Sequence, residues 1–487
     1  MKNIKVITLC TRIFIVAVLI LSIAGCKKAL EVDPSTNALT GEKVYQTDGG
    51  AQSLLSGIFS NMSESIYSGT EGMSVLQGLA ADELNNNGGV GVAAAQFYTN
   101  NLNASQVYYW ISLYRIIYFC NSGIAGITSS SSISAPVKQQ LLGELKFIRA
   151  YTYFYACNLY GDVPLPLTTD YVTNNVIARS PKSAVQQQAI QDLKEAQEML
   201  PDGKYLTGTN TETTERVRPN KQAATAALAR MYLYLKDWAN AETQSTAVIS
   251  SASYRLEPNL NQVFLKDSPE AIWQLMPVEP GVNNRDAPLF VFSAPPNGLT
   301  QLYSLSSSLV QSFEPGDGRL SSWVGKLTAP ATGTIRAQTY YFAYKYKNAV
   351  ASNTTNPVTE YPILLRFAEQ YLIRSEARAQ QGNIAGAVAD LNILRKRARE
   401  TSADLPDFPA SVSQAACLAA IAHERRIELF TEHGHRWFDL IRTDQANAVM
   451  GKAAIQKEGS WSPYKQLLPI PAAEITINRN LIQNPGY

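Results

Sequence analysis

His423-Glu424-Arg425-Arg426-Ile427 sets an imidazole and a carboxylate side by side, as a zinc-dependent hydrolytic helix would. That chemistry needs a second imidazole one turn later to share the metal, and Ile427 stands there instead. His433 and His435 flank Gly434 beside Glu432, a pattern that a turn at a helix end explains as well as a metal does. We assign neither metal nor cofactor. No Gly-x-Ser-x-Gly elbow occurs, and Gly203-Lys204, Gly325-Lys326 and Gly451-Lys452 lack the Ser or Thr that completes a phosphate-cradling loop. Asp82-Glu83 is an acid pair, but adjacent side chains point apart, so glycoside hydrolysis would require partners that the sequence does not identify. Hydrogen bonding to polyols fits the pair better, and a solvated pair at a helix end fits equally well.

The densest charge lies in Glu424-Arg425-Arg426-Ile427-Glu428 and in Arg436-Trp437-Phe438-Asp439-Leu440-Ile441-Arg442. On one helix Glu424 and Glu428 share a face, while Arg425, Arg426 and Arg442 can reach acids on neighbouring helices. Because these arginines alternate with apolar residues, they predict an ion network that holds helices rather than a catalytic or anion site.

The elements that must carry these groups are mostly helical. Leu141, Leu145, Ile148, Thr152, Tyr155 and Leu159 recur at steps of four and three, one face of a helix that Gly161 and Pro164 stop. Ser180-Pro181 reads as an N-cap and first-turn proline, with Ala189, Leu193, Ala196 and Leu200 on the apolar stripe that follows. Asn220 opens another helix through Lys236, and Asp237-Trp238-Ala239-Asn240-Ala241 starts its mate. The same grammar returns at Arg366 to Gln381 followed by Gly382-Asn383-Ile384-Ala385-Gly386-Ala387. Asp237, Trp238 and Ala241 thus align with Asn383, Ile384 and Ala387: a cap, a large apolar residue and an alanine that lets two helices approach. This is the signature of tetratricopeptide-like hairpins, interrupted by insertions. Two segments lose the helical period, Leu84 to Ser105 and residues 251–360, where short β-like runs appear at Ala271–Leu275 and Tyr340–Tyr346.

Lys2, Lys5 and Arg12, then an apolar run from Ile13 to Leu21, end at Ile23-Ala24-Gly25-Cys26. This reads as a lipoprotein signal over residues 1–25, with Cys26 as the acylated first residue of the mature chain and residues 26–40 as a polar tether. Removing the signal leaves a mature chain near neutrality, without the basic footprint that nucleic acid demands. Of five cysteines, Cys120 and Cys157 fall in apolar helical patterns and read as buried thiols, with Cys417 far from both. Tyrosine outnumbers phenylalanine, 25 to 15, which suits recognition of polar ligands.

Several segments together resemble the SusD/RagB family of outer-membrane nutrient-binding lipoproteins of Bacteroidetes. They are Glu144 to Tyr151 with Leu159-Tyr160-Gly161-Asp162-Val163-Pro164; Leu365-Arg366-Phe367-Ala368-Glu369; Glu424-Arg425-Arg426 with Arg436-Trp437-Phe438-Asp439-Leu440; and Leu468-Pro469-Ile470-Pro471 with the terminal Gln483-Asn484-Pro485-Gly486-Tyr487. The resemblance implies a mainly α fold in which about four tetratricopeptide-like helical pairs (near residues 41–83, 106–250 and 361–450) cradle an irregular, ligand-bearing half with short strands. It implies a lipid-anchored protein on the outer face of the outer membrane that binds oligosaccharide, or oligopeptide, and delivers it to a SusC-like TonB-dependent barrel, without turnover. A lipid-anchored hydrolase using Asp82 or Glu83 is the rival reading. Carried over to this chain, the two inserts offer Asp82, Asn85, Asn86, Phe97 and Tyr98 from the first, and Arg285, Tyr303 and Trp323 from the second, as ligand contacts; the other reading has Trp323 filling a local core, Tyr303 packing on a helix and Asn85–Asn87 only shaping a turn. Trp110 and Trp273 read as core.

Overall fold

The computed structural model describes residues 44–88, 91–279, 281–331, 336–351, 353 and 357–487; the expected signal, the tether and Cys26 lie outside them. Thr47 accepts the Gly50 N–H to open α1 (Asp48–Glu64), which is followed by α2 (Met73–Ala80), α3 (Val92–Tyr98), α4 (Trp110–Ser129) and α5 (Ala135–Tyr160). All six residues of the predicted α5 stripe are buried, and Gly161 ends the helix at φ +76°. Next come α6 (Lys182–Met199), α7 (Lys221–Tyr234) and α8 (Trp238–Ile249), then α9 (Phe367–Gln380), α10 (Ile384–Ala398) and α11 (Gln414–Glu428). From α4 to α11 each helix packs on the next. The chain closes with α12 (His435–Arg442), α13 (Ala446–Gln456) and α14 (Ala472–Ile477).

The two aligned hairpins match in detail. Asp237 accepts the Asn240 N–H and Asn383 accepts the Gly386 N–H, while Ala241 and Ala387 are fully buried. The residue before each cap is left-handed: Lys236 at φ +59° and Gly382 at φ +82°. Small residues let α9 and α10 touch, with the Ser375 hydroxyl donating to the Ala387 carbonyl at 2.7 Å. One boundary differs from expectation. Pro181 occupies the N-cap position of α6 without a side-chain bond, Ser180 pairs with Val163 in a two-residue ladder, and Asp162 accepts the Lys182 N–H instead.

Short antiparallel pairs sit against the helices. β1 (Leu84–Asn86) pairs with β3 (Tyr303–Leu305), bringing the first irregular segment onto the second, with Asn86 opposite Tyr303. β2 (Ala271–Gln274) pairs with β6 (Ile363–Arg366), and β4 (Val324–Ala329) with β5 (Gln338–Ala343). Among the described residues no helix is long and apolar enough to cross a membrane. Cys120, Cys157 and Cys417 are free, buried thiols.

The anticipated ion network is present and wider than its arginines suggested. Arg425 and Arg442 both hold Asp439, and Arg442 also holds Glu376. Glu424 and Glu428, on one face of α11, both receive Arg319. Arg366 joins Glu270, Glu428 and Glu432, while Arg397 joins Glu270 and Glu428. Burial alone would raise the Glu428 carboxyl, yet Arg397, Arg366 and Arg319 hold it far below the usual carboxylate range.

Candidate functional site

A polar cavity of about 270 Å³ opens where the α1–α2 turn, α3 and the start of α4 converge. Its floor is built from a Ser-Gly-Thr run after α1, which folds tightly because its own polar groups close on the backbone: Ser68 donates to the Ser63 carbonyl and Gly72 N–H to the Gly69 carbonyl. Asp286 reaches in from the second irregular segment and accepts the Gly69 N–H at 2.8 Å. Gly69 sits at φ +87°, which L side chains rarely adopt, and a Cβ there would lie 3.2 Å from Arg285 Nε, so glycine suits both the turn and the close approach of the guanidinium. Burial pushes the Asp286 carboxyl up to about 6.

The opposing wall is aromatic. Tyr108 takes the left-handed conformation, φ +39°, unusual for a bulky residue, and its hydroxyl donates to Gln96 at 2.9 Å while accepting the Asn103 N–H. Phe97 stands edge-on to both Tyr108 and Tyr109, with centroids 5.2 and 6.0 Å away. Arg285 lines the cavity with its side chain 28 % exposed, 3.2 Å from the exposed carboxylate of Glu279. Glu71 lines it too, and its carboxylate makes no hydrogen bond or ion pair among the described residues. Together these offer hydroxyl, carboxylate and guanidinium partners beside a ring face, an inventory that suits binding of polyhydroxylated or zwitterionic ligands.

Of the residues read from sequence, Arg285 lines this cavity and Phe97 braces it from behind without reaching it, being fully buried. Tyr98 lies on the other side of α3, its ring 5.3 Å from the Lys457 ammonium. Asn85 spends its amide on Ser304 and the Leu305 carbonyl, and Asn86 sits in the β1 ladder. Tyr303 is 1 % exposed within β3 and presents no face to solvent. Trp323 is fully buried, donating to the Leu260 carbonyl at 2.8 Å, with Lys345, Arg366 and Arg397 ranged 5.0 to 5.8 Å from its ring. As ligand contacts, Phe97, Tyr303 and Trp323 are therefore corrected to core positions.

The acid pair is neither a solvated helix end nor an open site. Burial would raise the Asp82 carboxyl, but Arg436 and Arg426 hold it down, at 2.7 Å each. Glu83, 2 % exposed, accepts the Thr431 N–H and is pushed up to about 7 by burial. His433, also buried, is pushed down to about 4 and lies 2.9 Å from the Ile363 carbonyl. Sequence reasoning missed Tyr108, Tyr109 and Glu71. The available signals were the tyrosine pair just ahead of α4 and the turn-forming run Ser65 to Glu71.

Comparison with known proteins places the chain among relatives of the same architecture. The profile described as the SusD family matches residues 168–487, and one described as starch-binding, associating with the outer membrane, matches residues 43–233. SusD-like protein P2 of Formosa agariphila is 26 % identical over 96 % of this chain and 98 % of its own length. The starch-binding protein SusD of Bacteroides thetaiotaomicron is 34 % identical over 30 % of this chain and 24 % of its own length. Among solved structures, a laminarin-binding SusD-like protein superposes with a TM-score of 0.74 at 24 % identity, covering 91 % of this chain and 100 % of that one. A SusD homolog from Bacteroides thetaiotaomicron gives 0.77 at 17 % identity, covering 92 % and 98 %.

Proposed function

Because the chain belongs to the SusD family, we propose that it is a surface lipoprotein that captures an oligosaccharide in the cavity between Tyr108 and Arg285 and delivers it to a SusC-like TonB-dependent barrel. The observation that carries this reading is the pairing of a held tyrosine wall with a guanidinium and an unpaired carboxylate in one preformed recess. Sugar rings stack their C–H faces on aromatic rings, while their hydroxyls need planar donors and acceptors at the edge. The names of relatives that bind starch and laminarin support the substrate class. The reading places Cys26 in the outer leaflet as a triacylated anchor, with the folded body facing the cell exterior.

Oligopeptide capture, in the manner of RagB, is the second reading. It draws on the opposite charges of Glu71 and Arg285, which would meet the two termini or charged side chains of a peptide. Hydrolysis is the weaker rival, because both oxygens of Asp82 are occupied by arginines.

Titration calorimetry of the soluble body with laminarin oligosaccharides, maltooligosaccharides and a tryptic casein digest tests the choice. Saturable heat with a glycan, lost in Arg285→Ala, is the expected result. Heat only with the digest transfers the assignment to peptides. Release of new reducing ends by the pure protein sinks the binding reading.

A further inference from the structure

α4 has a second recess on its other flank. Trp110, Tyr114 and Tyr118 stand at i, i+4 and i+8 and line it as a ladder of positions along one face of the helix. The Trp110 and Tyr114 centroids are 4.7 Å apart. Trp110 is nearly buried, whereas Tyr118 at the far end is 50 % exposed. Across from the ladder run Pro164, Pro166, the turn Tyr171–Asn174 and α14, enclosing a groove of about 390 Å³.

The walls are fixed before any ligand arrives. The Tyr114 hydroxyl donates to the Pro164 carbonyl at 2.8 Å, Asn121 to the Pro166 carbonyl at 2.9 Å, Asn174 to the Thr168 carbonyl at 2.9 Å, and Asn478 to the Ile177 carbonyl at 2.8 Å. Arg115 and Glu474, both lining the groove, have side chains with no hydrogen bond or ion pair among the described residues. A ring ladder with an idle guanidinium, an idle carboxylate and the exposed carboxamide of Asn175 at its edge repeats the chemistry of the Tyr108–Arg285 cavity.

The two recesses are also adjacent along the chain. Tyr109 and Ser112 line one, while Trp110, Ile111 and Tyr114 line the other, so the first turns of α4 form the ridge between them. We infer that the groove over Trp110, Tyr114 and Tyr118 is a second carbohydrate subsite, and that a glycan long enough to cross the ridge of α4 occupies both recesses at once. The inference rests on the oligosaccharide reading of the first cavity and adds chain-length selectivity to it. Two linked sites reward a polymer over its fragments because the second contact is made at high local concentration. Exposed aliphatic side chains lining the groove, among them Ile111 and Ile477, make an apolar peptide segment the competing occupant.

The test compares wild type, Tyr118→Ala, Glu474→Gln and Arg285→Ala, each checked for native circular dichroism. Affinity electrophoresis in laminarin and in soluble starch reads polymer binding, and calorimetry with the matching short oligosaccharides reads the first cavity alone. Tyr118→Ala and Glu474→Gln are expected to weaken polymer binding on the order of tenfold or more while leaving short-chain affinity unchanged. Polymer binding untouched by both variants, with Arg285→Ala still abolishing short-chain binding, overturns the second subsite and leaves the first standing. A Tyr118-dependent response to a casein digest, with no effect on glycans, overturns it in favour of a peptide. Absence of any glycan binding by the wild type overturns both readings together.

Discussion

Arg436 Nε donates to Asp82 Oδ1 at 2.7 Å, joining residues 354 positions apart in the chain. Arg426 holds the other oxygen of the same carboxylate at 2.7 Å. The acid thereby fastens the turn between α2 and β1 to α11 and α12. Its role is to position, and the bond explains why an acid beside an asparagine-rich loop does not face solvent.

Removing that carboxylate strands two guanidiniums in a poorly solvated pocket. Asp82→Ala is expected to cost about 3 kcal/mol, the scale of breaking a buried pair from one side. Thermal denaturation at pH 7 measures it, and a change within experimental error would refute the positioning role.

Glu83 makes stability depend on pH with a definite sign. Its carboxyl rises from 4.5 to about 7 on folding, so between those values the unfolded chain loses a proton that the folded protein keeps. Stability from this residue is therefore fully present below about pH 4.5 and falls as pH rises to about 7, by roughly 3 kcal/mol. His433 runs the other way: its folded value drops from 6.5 to about 4, so its contribution rises with pH across that interval. Comparing Glu83→Gln with wild type isolates the first term. The variant should match wild type near pH 4.5 and exceed it at pH 8, as read by melting temperature.

Trp323 separates core from ligand contact. Trp323→Ala is expected to lower stability by about 4 kcal/mol, since it opens a cavity and removes the ring that three cations face. Glycan affinity of the molecules that remain folded should not change, and calorimetry below the melting transition decides this.

The aligned hairpin turns predict a small gain. Lys236 holds φ +59° where its counterpart Gly382 holds +82°, and the Lys236 ammonium meets Asp444 in an exposed contact at 3.8 Å. Lys236→Gly should be neutral to stabilising, by up to about 1 kcal/mol, while Gly382→Ala should cost about 1 kcal/mol despite the open space around it. Paired urea titrations read both.

The helical array was legible because burial repeats at the helical period: the α5 stripe and the Ala241 and Ala387 contacts were all visible as patterns. The ion network was half legible, since Arg425, Arg426 and Arg442 announced themselves on α11 and α12. The distant acid Asp82 that Arg426 holds, and the role of Arg319, were not, because nothing local in a sequence encodes a contact spanning hundreds of residues. The same limit misplaced Trp323 and Tyr303. Large rings in an irregular segment look available for ligands, yet here long-range strand pairing and a ring of cations draw them inside. Tyr108 and Glu71 were missed because the cavity arises only when the α1–α2 turn meets α4.

The cluster of Arg319, Arg366 and Arg397 with Glu270, Glu424, Glu428 and Glu432 draws its members from the irregular segment, from β6, from α10 and α11 and from the turn that follows α11. Pulling either portion away would leave bare charges on both sides of the break in a medium of low dielectric constant. The loop-rich portion and the helical array therefore share one fate under heat: a single calorimetric endotherm, with no half-melted species in which the recesses on α4 survive their supports.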